Sequence, residues 1–291
     1  MPEGKKAAVI GVFDGVHKGH AALIERLLAE AETRSLAPIV VTFDPPPSLY
    51  FNPHFHFILS TREEKRERLC QLGVEDVVFL DFSTVAETLP EDFIEKELLD
   101  RNVDFTLVGE TFRFGHGRKG NVDTLKAHPG LEVASISKER FENEVISATR
   151  IRELLLLGHI KRANHLLGYE YSLSGTVSRG LGRAGALLDT PTININPSNP
   201  HKLVPPDGIY AVRYSRASFP GVCYIGSSPT FADSSHKIEV HLLDRVPDGT
   251  EEPQVSFVER LRPEVSFESL EELKDQVHAD CEDARRVLSG S

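Results

Sequence analysis

The segment 11–20, GVFDGVHKGH, contains the two residues of this sequence best suited to chemistry, His17 and His20. It follows an apolar run at 7–10 and precedes an amphipathic stretch, 21–34, whose apolar residues recur at helical spacing. This order places both histidines at a helix N-terminus, where backbone N–H groups and a partial positive charge hold phosphate. Imidazoles can donate hydrogen bonds to oxygens on which charge builds as pyrophosphate leaves. The pattern therefore predicts nucleotidyl transfer from a nucleoside triphosphate, rather than a loop with two solvated histidines.

An alternation of strands and helices over residues 1–168 must position this segment. Continuous apolar runs, typical of parallel strands buried on both faces, predict strands at 7–10, 39–43, 77–80, 105–108 and 131–136. Helical patterns lie between them at 20–34, 62–72, 91–101 and 122–127, and two more at 149–157 and 160–167 close this half. The fold class predicted is α/β, with an N-terminal doubly wound, Rossmann-like domain. Its ligand belongs beyond the carboxyl ends of the strands, where the histidine segment lies.

The remaining residues, 169–291, have a different pattern. Short alternating strands separated by Gly, Pro, Asn and Asp are predicted at 174–177, 192–195, 208–214, 222–225, 237–243 and 254–257. This spacing predicts a second domain, a six-stranded antiparallel β-barrel. A terminal helix is predicted at 270–288, with Ser269 as its N-cap.

Composition limits the partners of the chain. The net charge of −11 over 291 residues comes from an acidic excess in both halves, so neither half offers the basic field of a nucleic-acid binder. No run of eighteen apolar residues predicts a membrane span. The three cysteines show no Cys-x-x-Cys spacing and the N-terminus has no apolar leader, so we expect a cytoplasmic protein without a disulfide framework or zinc cage. Small phosphorylated molecules are the expected substrates.

Further motifs occur in both halves of the chain. They are VGETFRFG at 108–115, GRKG at 117–120, ISATRIR at 146–152, SGTV at 174–177, PTIN at 191–194, GIY at 208–210 and IEVHLLD at 238–244. Together, and in this order, they resemble the prokaryotic bifunctional riboflavin kinase/FAD synthetases over nearly the whole chain. The resemblance implies a C-terminal kinase that converts riboflavin to FMN. It also implies an N-terminal FMN adenylyltransferase that joins FMN to AMP, giving FAD and pyrophosphate. ATP is the implied co-substrate of both steps, with Mg²⁺ as cofactor.

The resemblance also implies roles for residues of the first half. The catalytic residues would be His17, His20 and Arg152. The ATP-binding residues would be Gly11, Phe13, Asp14, Gly15, Gly19, Thr149 and Arg150. A basic, Gly-rich loop would cover the nucleotide or the flavin through Phe112, Arg113 and Arg118. The alternatives are that the late arginines are ordinary surface charges and that the loop is a surface loop without a function.

In the second half, strand alternation puts Glu239 and His241 on one face and Ile238 and Val240 on the other. The resemblance implies that Glu239 is the catalytic base, although an isolated glutamate of this kind is most often a solvated strand residue. It further implies Thr192 as an Mg²⁺ ligand. The ATP-binding residues of the kinase would be Gly180, Gly182, Gly185, Thr192 and Asn194.

The chain departs from the family pattern at several positions. In the first half, Pro46 stands where His is usual, Thr111 where Asn or Asp is usual, and Ala148 where Ser is usual. In the kinase loop, Ala186 replaces Arg and Asp189 replaces Gly. A lost cation and a gained carboxylate near a triphosphate predict a weakened kinase. Two alternatives stay open: a flavin-binding sensor with impaired catalysis, and another His-x-Gly-His nucleotidyltransferase, against which the second half argues.

Overall fold

The chain folds into two compact units, Met1–Ala148 and Thr149–Ser291. The computed structural model describes residues 4–137, 140–141, 144–179, 192–227, 237–243 and 253–290. The two helices that follow residue 148 cluster with the second unit, whereas the sequence analysis assigned them to the first. The domain boundary at 168/169 stays a prediction.

A five-stranded parallel sheet forms the centre of the first unit. Its strands follow the order β3-β2-β1-β4-β5. Every neighbouring pair is parallel. The strands are β1 (Lys6–Ile10), β2 (Ala37–Phe43), β3 (Asp76–Leu80), β4 (Val103–Gly109) and β5 (Glu132–Ile136). Two short strands, β6 (Arg140–Phe141) and β7 (Glu144–Val145), pair with each other.

Helices cover both faces of this sheet. They are α1 (Lys18–Arg34), α2 (Pro47–Phe51), α3 (Arg62–Gln71), α4 (Phe82–Val85), α5 (Pro90–Glu97) and α6 (Val122–Ala127). On β1, Ala7 and Val9 pack with α1 and α3, whereas Ala8 and Ile10 pack with α5 and α6. Burial on both faces explains the continuous apolar runs of the inner strands β1, β2 and β4. The predicted doubly wound α/β architecture is confirmed.

The single helix predicted at 91–101 was wrong, because the structure has two segments there. Helix α5 ends at Glu97, and Leu98 leaves helical geometry with φ −117° and ψ −64°. A 3₁₀ turn, Leu99–Arg101, follows and is closed by Asn102 in the left-handed region at φ 62°. Helices α2 and α4 were not predicted from the sequence. Both are too short to produce a periodic pattern, and they begin at local signals, a proline at the first helical position and the Asp81 N-cap.

A closed antiparallel barrel forms the second unit, with the strand order β10-β11-β12-β9-β8-β13. Its strands are β8 (Tyr171–Arg179), β9 (Thr192–Pro197), β10 (Gly208–Tyr214), β11 (Phe219–Gly226), β12 (Lys237–Leu242) and β13 (Gln254–Arg262). The predicted six-stranded barrel is therefore confirmed. Alternate residues of β12 are buried, and Glu239 and His241 lie on the opposite face of that strand from Ile238 and Val240.

Three helices belong to the barrel unit: α7 (Ala148–Leu156), α8 (Ile160–Leu167) and the predicted terminal helix α9 (Leu270–Ser289). Asn164 of α8 donates to the Phe257 carbonyl at 2.7 Å and accepts from the Tyr171 N–H at 2.8 Å, so α8 is tied to β13 and β8. The buried Asp280 of α9 forms a bidentate pair with Arg262 of β13, at 2.8 and 2.7 Å. Such charge-assisted pairs fix orientation as well as distance.

Candidate active sites

The strand order of the first unit places the histidine segment at a topological switch point. The chain runs outward from β1 to β2 and β3, and then returns to β4 on the other side of β1. In open α/β sheets, ligands bind in the crevice beyond the carboxyl ends of the two strands where the order reverses. The loop after β1, residues 11–17, and the loop after β4, which begins at Glu110, lie at those two ends.

His17 and His20 form a stacked pair at the start of α1. Their ring centroids are 3.6 Å apart and the ring planes differ by 15°. His17 is the N-cap of α1, and its Nδ1 accepts the His20 backbone N–H at 3.3 Å. Because Nδ1 accepts, the neutral imidazole of His17 carries its proton on Nε2, where it can be donated to a phosphate oxygen.

His20 is held in its neutral form before a ligand arrives. Its pKa is lowered well below the ordinary value, first by burial and then by the nearby His17 and Lys65. The Nδ1 atom is buried and has no hydrogen-bond partner in the structure. Its ring meets the Phe13 ring edge-on, at a centroid distance of 5.0 Å. A buried polar atom without a partner at a helix N-terminus is suited to a ligand that brings its own hydrogen-bonding groups.

The loop between β1 and α1 has an unusual backbone. Phe13, Gly15 and Val16 all have positive φ, at 50°, 75° and 32°. Two of these are not glycine, and strained backbone of this kind persists where the surrounding contacts impose it, often at functional sites. A Cβ on Gly19 would lie 3.2 Å from the His17 ring, and one on Gly11 would lie 3.0 Å from the Phe13 ring. Both glycines therefore leave room for the aromatic groups of the site.

The side chain of Asp14 holds this loop in place. Its side chain is buried, and Oδ1 accepts from the backbone N–H groups of Leu59 and Ser60 at 2.9 and 3.0 Å. The Gly15 N–H in turn donates to Ser60 Oγ at 2.9 Å. The Ser60 hydroxyl also donates to Asp14 Oδ1, at 3.4 Å. These contacts hold the loop, and an ATP contact by Asp14 stays a prediction.

We expect Asp14→Ala to lower the free energy of unfolding of the first unit by about 3 kcal/mol, because two buried N–H donors lose their acceptor. Urea unfolding followed by circular dichroism measures this change. The control is Asp76→Ala, which removes an exposed ion pair with Lys6. Such pairs contribute about 1 kcal/mol or less. Equal stability of the two variants would show that the Asp14 contacts do not hold the loop.

The loop after β4 is closed on itself. Phe114 and Gly120 exchange two backbone hydrogen bonds, at 3.1 and 3.0 Å. Phe112 stacks on Phe114 with centroids 5.5 Å apart, and it packs partly against the core. Arg113 and Arg118 are exposed, as is Thr111. The loop therefore presents both arginines from an ordered frame at the switch point, and their ligand stays a prediction.

The remaining predicted residues of the adenylyltransferase begin the second unit. Thr149, Arg150 and Arg152 lie in α7, directly after Ala148. Arg150 Nη1 donates to Glu153 Oε2 at 3.1 Å. Their action on the triphosphate stays a prediction.

The barrel brings the predicted kinase residues together on β9 and β12. Thr192 Oγ1 donates to Glu239 Oε1 at 2.7 Å. In the strand register, Asn194 lies opposite Glu239, and His241 lies opposite Thr192. Burial and the nearby Arg285 lower the pKa of His241. A carboxylate, a hydroxyl, an amide and a neutral imidazole thus share one face of the barrel.

The donor set on this face fits Mg²⁺. The Oδ1 atom of Asn194 is buried and lacks a hydrogen-bond partner in the structure, and Thr192 lies two residues earlier on the same face of β9. Hard oxygen atoms of this kind are the ligands that Mg²⁺ prefers. Within the described part of the chain, no three His, Cys, Asp or Glu side chains converge as a metal cluster. Gly180, Gly182, Gly185, Ala186 and Asp189 lie outside the described residues.

A buried residue beside the first site, Lys65 of α3, was not predicted from the sequence. Its Nζ donates to the Val12 carbonyl, at the start of the histidine loop, at 2.8 Å. The available signal was its position four residues before the buried Leu69, which places a cation on the apolar face of an otherwise charged helix.

Comparisons with known proteins match both units. Residues 2–150 match the family model of FAD synthetase, and residues 167–288 match that of riboflavin kinase. A curated relative from Listeria monocytogenes, named bifunctional riboflavin kinase/FMN adenylyltransferase, is 34% identical over 98% of this chain and 93% of its own length. Relatives of the same name from Bacillus subtilis and Escherichia coli K12 are 31% and 33% identical, each over 99% of this chain and 94% of their own.

A solved structure also superimposes on nearly the whole chain. It has a TM-score of 0.88 and 29% identity, and it covers 98% of this chain and 95% of its own. Its title describes a macrolide-efflux protein from Streptococcus pneumoniae. Among the residues described here, no helix has the length and apolar character needed to cross a membrane. With both family models matched in order and the curated relatives covered almost end to end, the chain belongs to the bifunctional riboflavin kinase/FMN adenylyltransferase family.

Proposed function

We propose that this protein makes FAD from riboflavin in two ATP-dependent steps. The barrel phosphorylates riboflavin to FMN, and the segment that matches FAD synthetase, residues 2–150, adenylylates FMN and releases pyrophosphate. One observation carries the proposal: each matched family segment contains its own group of residues suited to a triphosphate, the stacked histidines in one and the Thr192–Glu239 pair in the other. This arrangement favours the bifunctional enzyme over a nucleotidyltransferase acting on another nucleotide. We also propose a cytoplasmic location, since Cys70, Cys223 and Cys281 are free thiols, as is usual in a reducing compartment.

Adenylyl transfer needs no protein nucleophile. A phosphate oxygen of FMN attacks the α-phosphorus of ATP, and the bond from that phosphorus to the bridging oxygen of the β-phosphate breaks. The protein contributes alignment and neutralisation of charge. The His17 Nε2–H donates to a phosphate oxygen, and neutral His20 provides a second polar group beside it. From the resemblance, we also assign phosphate contacts to Thr149, Arg150 and Arg152, and contacts with the nucleotide or flavin to Arg113 and Arg118.

In the kinase step, Glu239 accepts the proton of the primary hydroxyl of riboflavin as that oxygen attacks the γ-phosphorus of ATP. The Thr192 hydroxyl holds Glu239 Oε1 in place at 2.7 Å. Thr192 and Asn194 would hold Mg²⁺, which supplies neutralisation of the phosphate charge. ADP is the leaving group of this step and is released as a product.

Product analysis by chromatography tests both steps. With ATP and Mg²⁺, we expect FMN to be converted to FAD and pyrophosphate, and riboflavin to be converted to FMN with release of ADP. We expect the second reaction to be the slower one, because Ala186 and Asp189 remove a cation and add a carboxylate in the kinase loop. Flavin binding without turnover would support the sensor alternative instead. A kinase rate equal to that of FAD formation would contradict a weakened kinase.

A further inference from the structure

A buried lysine lies beneath the loop that carries the histidine pair. Lys65 of α3 is 3% exposed. Its Nζ donates to the Val12 carbonyl at 2.8 Å, the Phe43 carbonyl at 3.2 Å and Thr42 Oγ1 at 3.4 Å. These acceptors lie at the carboxyl ends of β1 and β2. An ammonium group is costly to bury even when its donors are satisfied, and an apolar side chain could fill the same space at lower cost.

The contact with Val12 is at the point where the chain leaves the sheet. The Gly11 N–H still donates to the Val41 carbonyl, at 3.1 Å, as the ladder between β1 and β2 ends. The chain turns at the next residue but one, Phe13, at φ 50°. Between these positions, the Val12 carbonyl accepts from Lys65 and also from Thr42 Oγ1, at 3.0 Å. These two donors set the direction in which the loop begins.

Charged groups from several elements surround the ammonium. Asp14 of the loop and Asp44 after β2 favour its charged form, and burial lowers its pKa to about 8. On its own helix, Arg62 pairs with Asp44 at 3.2 Å, and Arg66 lies over the Phe79 ring of β3, which Lys65 Nζ approaches to 5.9 Å. The charge of Lys65 also lowers the pKa of His20 on α1. The lysine is therefore coupled electrostatically to the histidine pair.

We propose that Lys65 is a positioning residue for adenylyl transfer. Its ammonium group joins the Val12 and Phe43 carbonyls, and the loop then presents His17 and His20 to the phosphates of ATP. The inference rests on the proposed function of the first unit. Lys65 acts through the backbone of the loop, and its charge adds a fixed positive potential behind the phosphate site. Asp14 holds the same loop two residues later, so the loop is fixed at both points.

The test compares Lys65→Met, Lys65→Arg and Thr42→Val with the wild type and with Lys126→Met, an exposed lysine on α6. We measure kcat and the KM values for ATP and FMN in FAD formation. Phosphorylation of riboflavin by the same chains serves as the internal control. For Lys65→Met, we expect kcat/KM for ATP to fall about 10- to 100-fold, the equivalent of one charge-assisted hydrogen bond. The KM for FMN and the kinase rate should stay unchanged, as should every parameter of Lys126→Met.

The pH profile distinguishes positioning of the loop by the charge of Lys65 from simple filling of space by its side chain. Wild-type kcat/KM for ATP should fall as pH rises through about 8, where Lys65 loses its proton. Lys65→Arg should remove that step, because its guanidinium stays charged. A Lys65→Met enzyme with wild-type kcat/KM and pH profile would overturn the proposal. If circular dichroism shows the Lys65 variants unfolded, Thr42→Val decides: a raised KM for ATP supports the proposal and an unchanged one overturns it. A wild type that forms no FAD from FMN would instead overturn the proposed function.

Discussion

The rate of FAD formation should fall about 10²- to 10³-fold in the His17→Asn variant and in the His20→Asn variant. This is the usual cost of removing one donor from a site where charge develops. Asparagine at position 17 keeps an N-cap oxygen for α1, so the helix should still begin there. What it lacks is the reach of the imidazole Nε2–H toward a phosphate. The rate of FAD formation from FMN measures the loss, and riboflavin phosphorylation by the same chain should be unchanged.

The double variant should lose little more than either single variant. The two rings stack at 3.6 Å and the His20 N–H donates to His17 Nδ1, so displacing one ring disturbs the other. Residues that act as a unit give non-additive losses. His128→Asn is the matched control, because His128 caps the C-terminus of α6 at the amino end of β5, on the opposite edge of the sheet. Retained FAD formation in the histidine variants would exclude the pair from the reaction.

The architecture of both units could be predicted because burial leaves a strong pattern. Strands β1, β2 and β4 are buried on two faces. The apolar runs of the sequence located all five strands of the sheet to within two residues. Helix α6, Val122–Ala127, and strand β10, Gly208–Tyr214, have the predicted bounds. The break at Leu98 could not be predicted, because it depends on where the chain must turn to enter β4 and not on an apolar period. Helix α2 was missed since a single turn has no period.

The first site was only partly predictable, for a similar reason. The histidines are three residues apart on one helix turn, so their proximity follows from local geometry. The partners of Asp14, Leu59 and Ser60, lie about 45 positions away in sequence, as the hydrogen bonds record. The acceptors of Lys65, the carbonyls of Val12 and Phe43, lie at the carboxyl ends of two different strands, β1 and β2. Contacts between distant segments depend on the register of the sheet, and no spacing within a single sequence encodes them.

In the barrel, Glu239 and Thr192 were predictable individually from the resemblance, but their contact was not. Antiparallel pairing of β9 with β12 places His241 opposite Thr192 and Asn194 opposite Glu239. The hydroxyl–carboxylate hydrogen bond then crosses the ladder diagonally, within reach of such side chains. This contact gives the glutamate an orienting partner, which a solvated strand residue would lack.

Glu239→Gln should therefore lower FMN formation from riboflavin by about 10²- to 10⁴-fold, the range for loss of a general base. The glutamine Oε1 still accepts from the Thr192 hydroxyl, so the local hydrogen bond survives and the ability to take a proton is lost. Rates of ADP release with riboflavin measure the effect.

FAD formation from FMN should be unaffected by Glu239→Gln, because the adenylyl-transfer residues lie elsewhere in the chain. Glu271→Gln, at an exposed position in the first turn of α9, is the matched control and should leave both rates unchanged. The kinase loop bears on the size of the effect. If Ala186 and Asp189 already slow phosphoryl transfer in the wild type, Glu239→Gln lowers the rate by a smaller factor. If the Glu239→Gln variant formed FMN at the wild-type rate, however, another group would have to take the proton. The neighbouring His241 would then be the first residue to substitute.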